Sequence, residues 1–249
     1  MRQSGVLLHI TSLPSRGGIG TLGQAAYDFV DFVKDAGMTI WQVLPIGPTG
    51  YAESPYQSTS TFAGNTLMID FDMLEAEGIL PRGSYEPLPF HDNVDFEAVK
   101  AQSEALLRKA FEASFADLAE EIAAFEAENP WVRSYALFRA IKAKFGEISW
   151  MEWPDNAIRL RKPRALAKYE KELADEVNYY IFGQYLFSDQ WQRLHDYARM
   201  NGVKLMGDMP IYVAEDSADV WLNPELFELD EDCKPIRIAG VPPDYFQKD

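Results

Sequence analysis

Between Pro45 and Gln57 the chain reads Pro45-Ile46-Gly47-Pro48-Thr49-Gly50-Tyr51-Ala52-Glu53-Ser54-Pro55-Tyr56-Gln57. Glycines and prolines constrain the path of this backbone, while Tyr51, Ser54, Tyr56 and Gln57 offer aromatic faces, hydroxyls and an amide. That mixture suits a polyhydroxylated ring, which shows a CH-rich face to an aromatic and a belt of OH groups to polar side chains. The competing reading is a rigid turn with surface tyrosines. A second candidate is Asp208, in Gly207-Asp208-Met209-Pro210 just after an apolar run. A carboxylate there serves a site if the run is a barrel strand, and caps a turn or helix otherwise; both readings stay open. A third is Pro242-Pro243-Asp244-Tyr245-Phe246. Two prolines stiffen it, and a tip of Asp244, Tyr245 and Phe246 can contact a sugar, although ordinary surface loops carry such tips too.

Other chemistries fail on inventory. His9, His91 and His195 have no metal-ligand spacing, and Cys233 is the single cysteine, so neither a metal site nor a disulfide framework is expected. Arg16-Gly17-Gly18-Ile19-Gly20 is rich in glycine but lacks the residues of a phosphate loop. Gly-x-Ser-x-Gly, the mark of an esterase nucleophile, is absent. Asp216-Ser217-Ala218-Asp219-Val220-Trp221 reads as the start of a short helix capped by Asp216 or Ser217, with Trp221 in the core.

The 249 residues carry 23 Lys and Arg against 39 Asp and Glu, a net charge of −16. Such a surface repels nucleic-acid phosphates and anionic membranes, so neither is an expected partner. A neutral ligand is unaffected. The apolar stretch from Val6 to Ile10 is too short for a signal peptide or a membrane span, and a cytoplasmic protein is the expectation. With 47% hydrophobic and 13% aromatic residues the chain has ample material for a packed core.

The elements that must position these residues fall into three segments. In 1–93, short apolar runs alternate with Gly- and Pro-rich turns. Val6 to Ile10 predicts a buried strand. Ala25, Phe29, Phe32, Val33 and Ala36 predict a helix ending at Gly37, and Thr39 to Leu44 a second strand, which together make a βα unit of a parallel sheet. In 94–201 the pattern is helical. One helix is expected from Glu104 to Glu128 and another from Trp131 to Phe145. A long one follows from Val177 to Met200, with Val177, Ile181, Trp191, Leu194 and Ala198 on one stripe. In 202–249 strand character resumes at Val203 to Met206. The expected architecture is α/β: the N-terminal part of a barrel of parallel strands, with a mainly helical inserted subdomain. Too few strands remain to close such a barrel, so an incomplete one with open edges is expected.

Five stretches, in order along the chain, carry a resemblance. They are Ser4 to Ser15 (Ser-Gly-Val-Leu-Leu-His-Ile-Thr-Ser-Leu-Pro-Ser), Trp41 to Pro45, Gly50 to Gln57, Gly207 to Ala214, and Gly240 to Phe246. Together they resemble the amylomaltase family, the 4-α-glucanotransferases or disproportionating enzymes. The resemblance implies a (β/α)8 TIM barrel with helical insertions and no metal or organic cofactor. It also implies transfer of α-1,4-glucan segments between malto-oligosaccharides by a retaining double displacement. Under it, Ser54 and Tyr56 contact the donor sugar near the cleavage point, and Tyr51 holds glucan away from the catalytic centre. Asp208 stands close to the nucleophile, and Asp244, Tyr245 and Phe246 begin a loop that folds over the substrate. The family's nucleophilic Asp, acid/base Glu and stabilising Asp match no carboxylate here and are expected beyond Asp249. Gln247 stands where the family usually has Ser, and the Gly-Gln-x-Trp-Gly-Asn-Pro continuation of that loop is missing. The resemblance therefore leads to a truncated enzyme, inactive alone, with the missing C-terminal half as a candidate partner. The alternatives are a non-catalytic glucan-binding module and a hydrolase of the α-amylase type.

Overall fold

Three short strands, β1 (Gly5–Leu7), β2 (Ile40–Gln42) and β3 (Lys204–Met206), form one parallel sheet in the order β1-β2-β3. The coordinates, a computed structural model, describe residues 2–89 and 91–237. Gly5 pairs with Ile40 and Leu7 with Gln42; on the other side of β2, Ile40 pairs with Lys204 and Gln42 with Met206. A Cβ on Gly5 would lie 2.5 Å from the Ile40 carbonyl oxygen, so this close strand approach requires glycine.

Between β1 and β2 runs α1 (Gln24–Asp35), which buries Ala26, Val30 and Val33. It ends where Gly37 takes a φ of +72°, the left-handed step that glycine makes without steric cost. Trp41 at the centre of β2 is fully buried. Its ring meets Phe29 edge-on at 4.9 Å, and its indole N–H donates to the Leu8 carbonyl at 2.7 Å. The strand expected from Val6 to Ile10 is shorter and wetter than its composition suggests. Pairing stops at Leu7, which is 54% exposed, and Ile10 enters a 3-10 turn (Ile10–Ser12). In β1 and β3 alike the outer two residues are exposed and only the middle one is half-buried. Alternate side chains of a strand point to opposite faces, and helices cover just one of them here.

The helical region comprises α2 (Phe71–Glu77), α3 (Phe96–Ser114), α4 (Ala119–Glu128), α5 (Val132–Lys144), α6 (Asn156–Arg159), α7 (Pro163–Glu172) and α8 (Ala174–Met200). The helix predicted from Glu104 to Glu128 is two helices, broken at 115–118 without a Gly or Pro. The cause is their shared partner, α8. Phe111 and Phe115 pack on Phe182 at 5.6 and 6.4 Å, and Phe125 packs on Tyr185 at 6.0 Å. Ser114 also donates to the Ile79 carbonyl at 2.8 Å. The bend keeps both sets of phenylalanines on the one surface.

Helix α8 spans about 40 Å at 1.5 Å per residue. Val177, Ile181, Leu194 and Ala198 are buried as its stripe predicts, whereas Trp191 is only half-buried. Near its C-terminal end, Tyr197 donates to Asp31 on α1 (2.8 and 3.0 Å) and meets Tyr27 edge-on at 5.0 Å. One helix therefore joins the helical region to the sheet. Finally, α9 (Ala218–Leu222) is capped by Ser217, whose hydroxyl accepts from the Val220 N–H. Its Trp221 packs against Phe138 and Trp153 with ring centroids 5.7 and 5.5 Å away, a core role as expected. Among the described residues no helix is long and apolar enough to cross a membrane.

Candidate functional site

The loop after β2 is held in an unusual shape. Tyr51–Glu53 form a turn of 3-10 helix in which Ala52 and Glu53 have φ of 53° and 56°. Two consecutive non-glycine residues in the left-handed region cost about 1 kcal/mol or more each, so something must hold them. The Glu53 carboxylate accepts from the Thr49 hydroxyl at 2.7 Å and pairs with Lys100 on α3. Further on, Thr59 N–H donates to the Pro48 carbonyl at 3.2 Å, and Asn65 N–H to the Ile46 carbonyl at 2.8 Å, closing the loop upon itself.

Two glutamines of α8 fasten the far end of this segment. The Gln184 amide accepts from Gly64 N–H at 2.8 Å and donates to the Gly64 carbonyl at 3.0 Å. Gln190 does the same to Asp70, at 2.7 and 3.0 Å. Each buried side chain thus replaces a strand partner for one residue of backbone, leaving neither group orphaned. Gly64 is required because a Cβ would overlap the Phe187 ring.

Tyr56 hydroxyl donates to Asp208 Oδ2 at 2.7 Å, joining residues 152 apart in sequence across the carboxyl ends of neighbouring strands. The hydrogen bond to Asp208 is the main reason the Tyr56 phenol is pushed above its ordinary value, with desolvation and the carboxylate charge adding to it; Tyr56 stays protonated and a donor at neutral pH. Asp208 also accepts from Met209 N–H at 2.8 Å, the local contact that its turn reading expects. Ser54 spends its hydroxyl locally, accepting from Tyr56 N–H at 3.3 Å, and so shapes the turn that presents Tyr56. The Tyr51 side chain, and Asp244, Tyr245 and Phe246, lie outside the described residues.

Two clefts flank the loop. One, about 660 Å³, is lined by Gly50, Gln57, Thr59, Tyr212, Phe227 and Arg237 among others. The other, about 680 Å³, lies against the helical region and is bordered by Thr49, Lys100, Glu104, Tyr135, Arg139 and Tyr180 among others. Its cations Lys100, Arg139 and Lys142 are matched in number by Glu104, Glu147 and Asp216, an electrostatically balanced lining suited to an uncharged polar ligand. Burial pushes the Tyr135 phenol up to about 12, which keeps it a neutral hydroxyl. Neither cleft is lined by Tyr56 or Asp208, which stand together on open surface. Among the described residues no cluster of His, Cys, Asp or Glu is placed to hold a metal ion.

Sequence reasoning missed several residues that build this region. Asp216, weighed only as a cap, accepts from the buried Lys142 Nζ at 2.6 Å and from Trp150 N–H at 3.1 Å, tying α5 to the segment after Asp208. Lys142 is a lone charge among the apolar positions of α5, and Gln184 and Gln190 sit between buried residues of α8. Polar side chains on an otherwise apolar helix face were the available signal. His9, at the carboxyl end of β1, has its Nδ1 buried without a hydrogen-bond partner among the described residues, and burial lowers its pKa.

A three-stranded parallel sheet with a helical layer beside it is an α/β architecture. The chain superposes on the amylomaltase from Streptococcus agalactiae in complex with acarbose with a TM-score of 0.96 at 43% identity, covering 100% of this chain and 51% of that one. It is 44% identical to the 4-alpha-glucanotransferase of Clostridium butyricum over 97% of this chain and 50% of the relative. With that of Streptococcus pneumoniae serotype 4 the identity is 46%, over 98% and 50%. The family model described as 4-alpha-glucanotransferase matches residues 8–249, and the chain belongs to that family. It spans about half the length of the curated relatives it matches.

Proposed function

We propose that this chain is the glucan-holding, amino-terminal half of a 4-α-glucanotransferase, contributing the first strands of a barrel and its helical insertion. The division into barrel units in 1–93, an insertion in 94–201 and a further strand with its loop in 202–249 is part of this reading. The observation that carries it is the Tyr56–Asp208 hydrogen bond. It brings a loop suited to sugars and a strand-end carboxylate to one place at the carboxyl edge of a parallel sheet, where α/β enzymes build their sites.

The reaction we assign to the whole enzyme moves an α-1,4-glucan segment from one malto-oligosaccharide to the 4-OH of another through a covalent glycosyl-enzyme. Retaining glycosyl transfer of this kind needs a nucleophilic and an acid/base carboxyl group about 5–5.5 Å apart. No carboxylate of this chain matches those family motifs, so its own part is binding. In this reading Ser54 and Tyr56 contact the donor sugar near the cleavage point, Asp208 stands close to the nucleophile, and Tyr51 holds glucan away from the catalytic centre. By the resemblance, Asp244, Tyr245 and Phe246 belong to a loop that folds over the substrate. That a neighbour of high similarity was solved with acarbose bound supports an oligosaccharide as the ligand class.

The test is to incubate the chain with maltotriose and resolve the products by chromatography, alongside a maltoheptaose binding titration. Binding without turnover is expected. Glucose with longer maltodextrins would show that the chain holds its own catalytic carboxylates and would sink the assignment of roles. Absence of binding by folded protein would sink the sugar site itself.

A further inference from the structure

A second aromatic surface stands apart from the Tyr56–Asp208 pair. Phe62 is 67% exposed, yet it is not on a loose loop. Thr61 is pinned to α9 twice, its N–H donating to Asp219 Oδ2 at 2.9 Å and its hydroxyl to Asp219 Oδ1 at 2.6 Å. Ser60 Oγ accepts from the N–H groups of Phe62 and Ala63 at 3.3 and 3.2 Å. Ala218 N–H donates to the Thr59 carbonyl at 2.8 Å. These bonds hold the Phe62 ring outward, where it lies nearly parallel to Trp131 at 6.2 Å and 25°. A single exposed apolar residue needs no explanation; a rigidly presented aromatic pair beside a polar hollow does.

That hollow has a volume of about 270 Å³ and is bordered by Phe62, Trp131, Ser134, Arg161, Asp219 and Asn223. It is just below the roughly 300–1,000 Å³ typical of small-molecule sites, which suits one ring and its substituents rather than a long chain. Arg161 adds a signal of its own. It sits at the left-handed position that ends α6, with a φ of 51°, where glycine is the inexpensive choice. The arginine side chain is used instead, its Nη1 donating to the Leu222 carbonyl at the end of α9.

We propose that Phe62 and Trp131, with Ser134, Asp219 and Asn223 around the hollow, form an auxiliary carbohydrate-binding site for a terminal or branch glucose unit, separate from the Tyr56–Asp208 pair. An aromatic face is negative and attracts the positive CH edge of a pyranose, while the hydroxyl, carboxylate and amide accept and donate at the ring's OH belt. Because the hydrogen-bonded loop already holds Phe62 in place, binding orders little of the protein. This inference takes its sugar class from the proposed function and places a new site for it.

The experiment follows the amide and indole N–H signals of the 249-residue chain by NMR during a maltotriose titration. Shifts at Thr61, Phe62, Asp219 and the Trp131 indole are expected. Their midpoint rises roughly five- to tenfold in Phe62→Ala, the range one aromatic contact supplies. Phe62→Tyr, which keeps the aromatic face, leaves it unchanged. Phe62 is exposed, and signals elsewhere that match the parent spectrum establish that the variant is folded. Shifts confined to 50–57 and Asp208, or a Phe62→Ala midpoint equal to the parent, overturn the auxiliary site while leaving the proposed function standing. No shift anywhere overturns both.

Discussion

At the residue scale the site depends on groups whose local cost is offset by a distant partner. Ala52 and Glu53 occupy left-handed backbone because Glu53 is held by Thr49 and Lys100. Ala52 is exposed and makes no side-chain demand, so Ala52→Gly should relieve strain and raise stability by about 0.5–1 kcal/mol after the entropy glycine adds to the unfolded chain; thermal denaturation measures this, and a lowered Tm would contradict the strain. The Tyr56–Asp208 pair is exposed, so its loss should matter for ligand and little for stability. Tyr56→Phe and Asp208→Asn are each expected to weaken maltoheptaose binding by about three- to tenfold with the melting temperature unmoved. A titration by calorimetry decides it, since an affinity equal to the parent's in both variants would remove the pair from ligand binding. Of this site, the residue types were legible in the chain. Their meeting was not, because a hydrogen bond across 152 positions leaves no mark in local spacing.

At the scale of elements, α8 does most of the organising. It gives α3 and α4 the surface over which they bend, and it supplies Gln184 and Gln190 as stand-in strand partners for the backbone at Gly64 and Asp70. Gln190→Ala removes two hydrogen bonds from a buried peptide and should cost about 2–4 kcal/mol. Gln192→Ala on the exposed face of the same helix should stay within about 0.5 kcal/mol. Chemical denaturation of the pair is the check: similar losses in both would mean that helix propensity, rather than the backbone clamp, sets the effect. The long helix and its stripe were readable from 3.6-residue periodicity. The break at 115–118 was not, because it answers to the position of Phe182 and Tyr185 on a helix some sixty residues later in the chain.

At the scale of the whole molecule, buried titratable rings bracket the pH range of the fold. Burial pushes Tyr85 and Tyr135 up to about 12, and burial with the bond to Asp155 does the same for Tyr169. A phenol whose folded pKa exceeds its unfolded value of about 10 contributes stability that is complete below pH 10 and is lost as pH rises toward 12. Tyr135 alone, being fully buried, accounts for on the order of 2–3 kcal/mol. His9 acts at the other end. Its pKa is lowered by burial, so its contribution is present above the unfolded value of about 6.5 and is lost as pH falls through the folded value. Denaturant midpoints should therefore hold a plateau between about pH 7 and 10 and fall on both sides. A His9→Gln chain with an unchanged acid limb would remove His9 from the account.

What the chain determined by itself is whatever short-range physics dictates. The α1 helix and its stop at Gly37, the parallel β1–β2 unit, the span of α8, a cap at Asp216 or Ser217 and the core role of Trp221 all follow from periodicity, turn chemistry and side-chain size within a few residues. Tertiary structure decided the rest. It set which face of β1 stays wet, where the helix after Phe96 breaks, which glutamines close the backbone of 64–70, and that Asp208 belongs with Tyr56. The division has one physical cause: backbone propensity and amphipathicity act over a turn or a strand, whereas register, burial and hydrogen-bond partnership exist only once α8 lies against both the sheet and the helical layer.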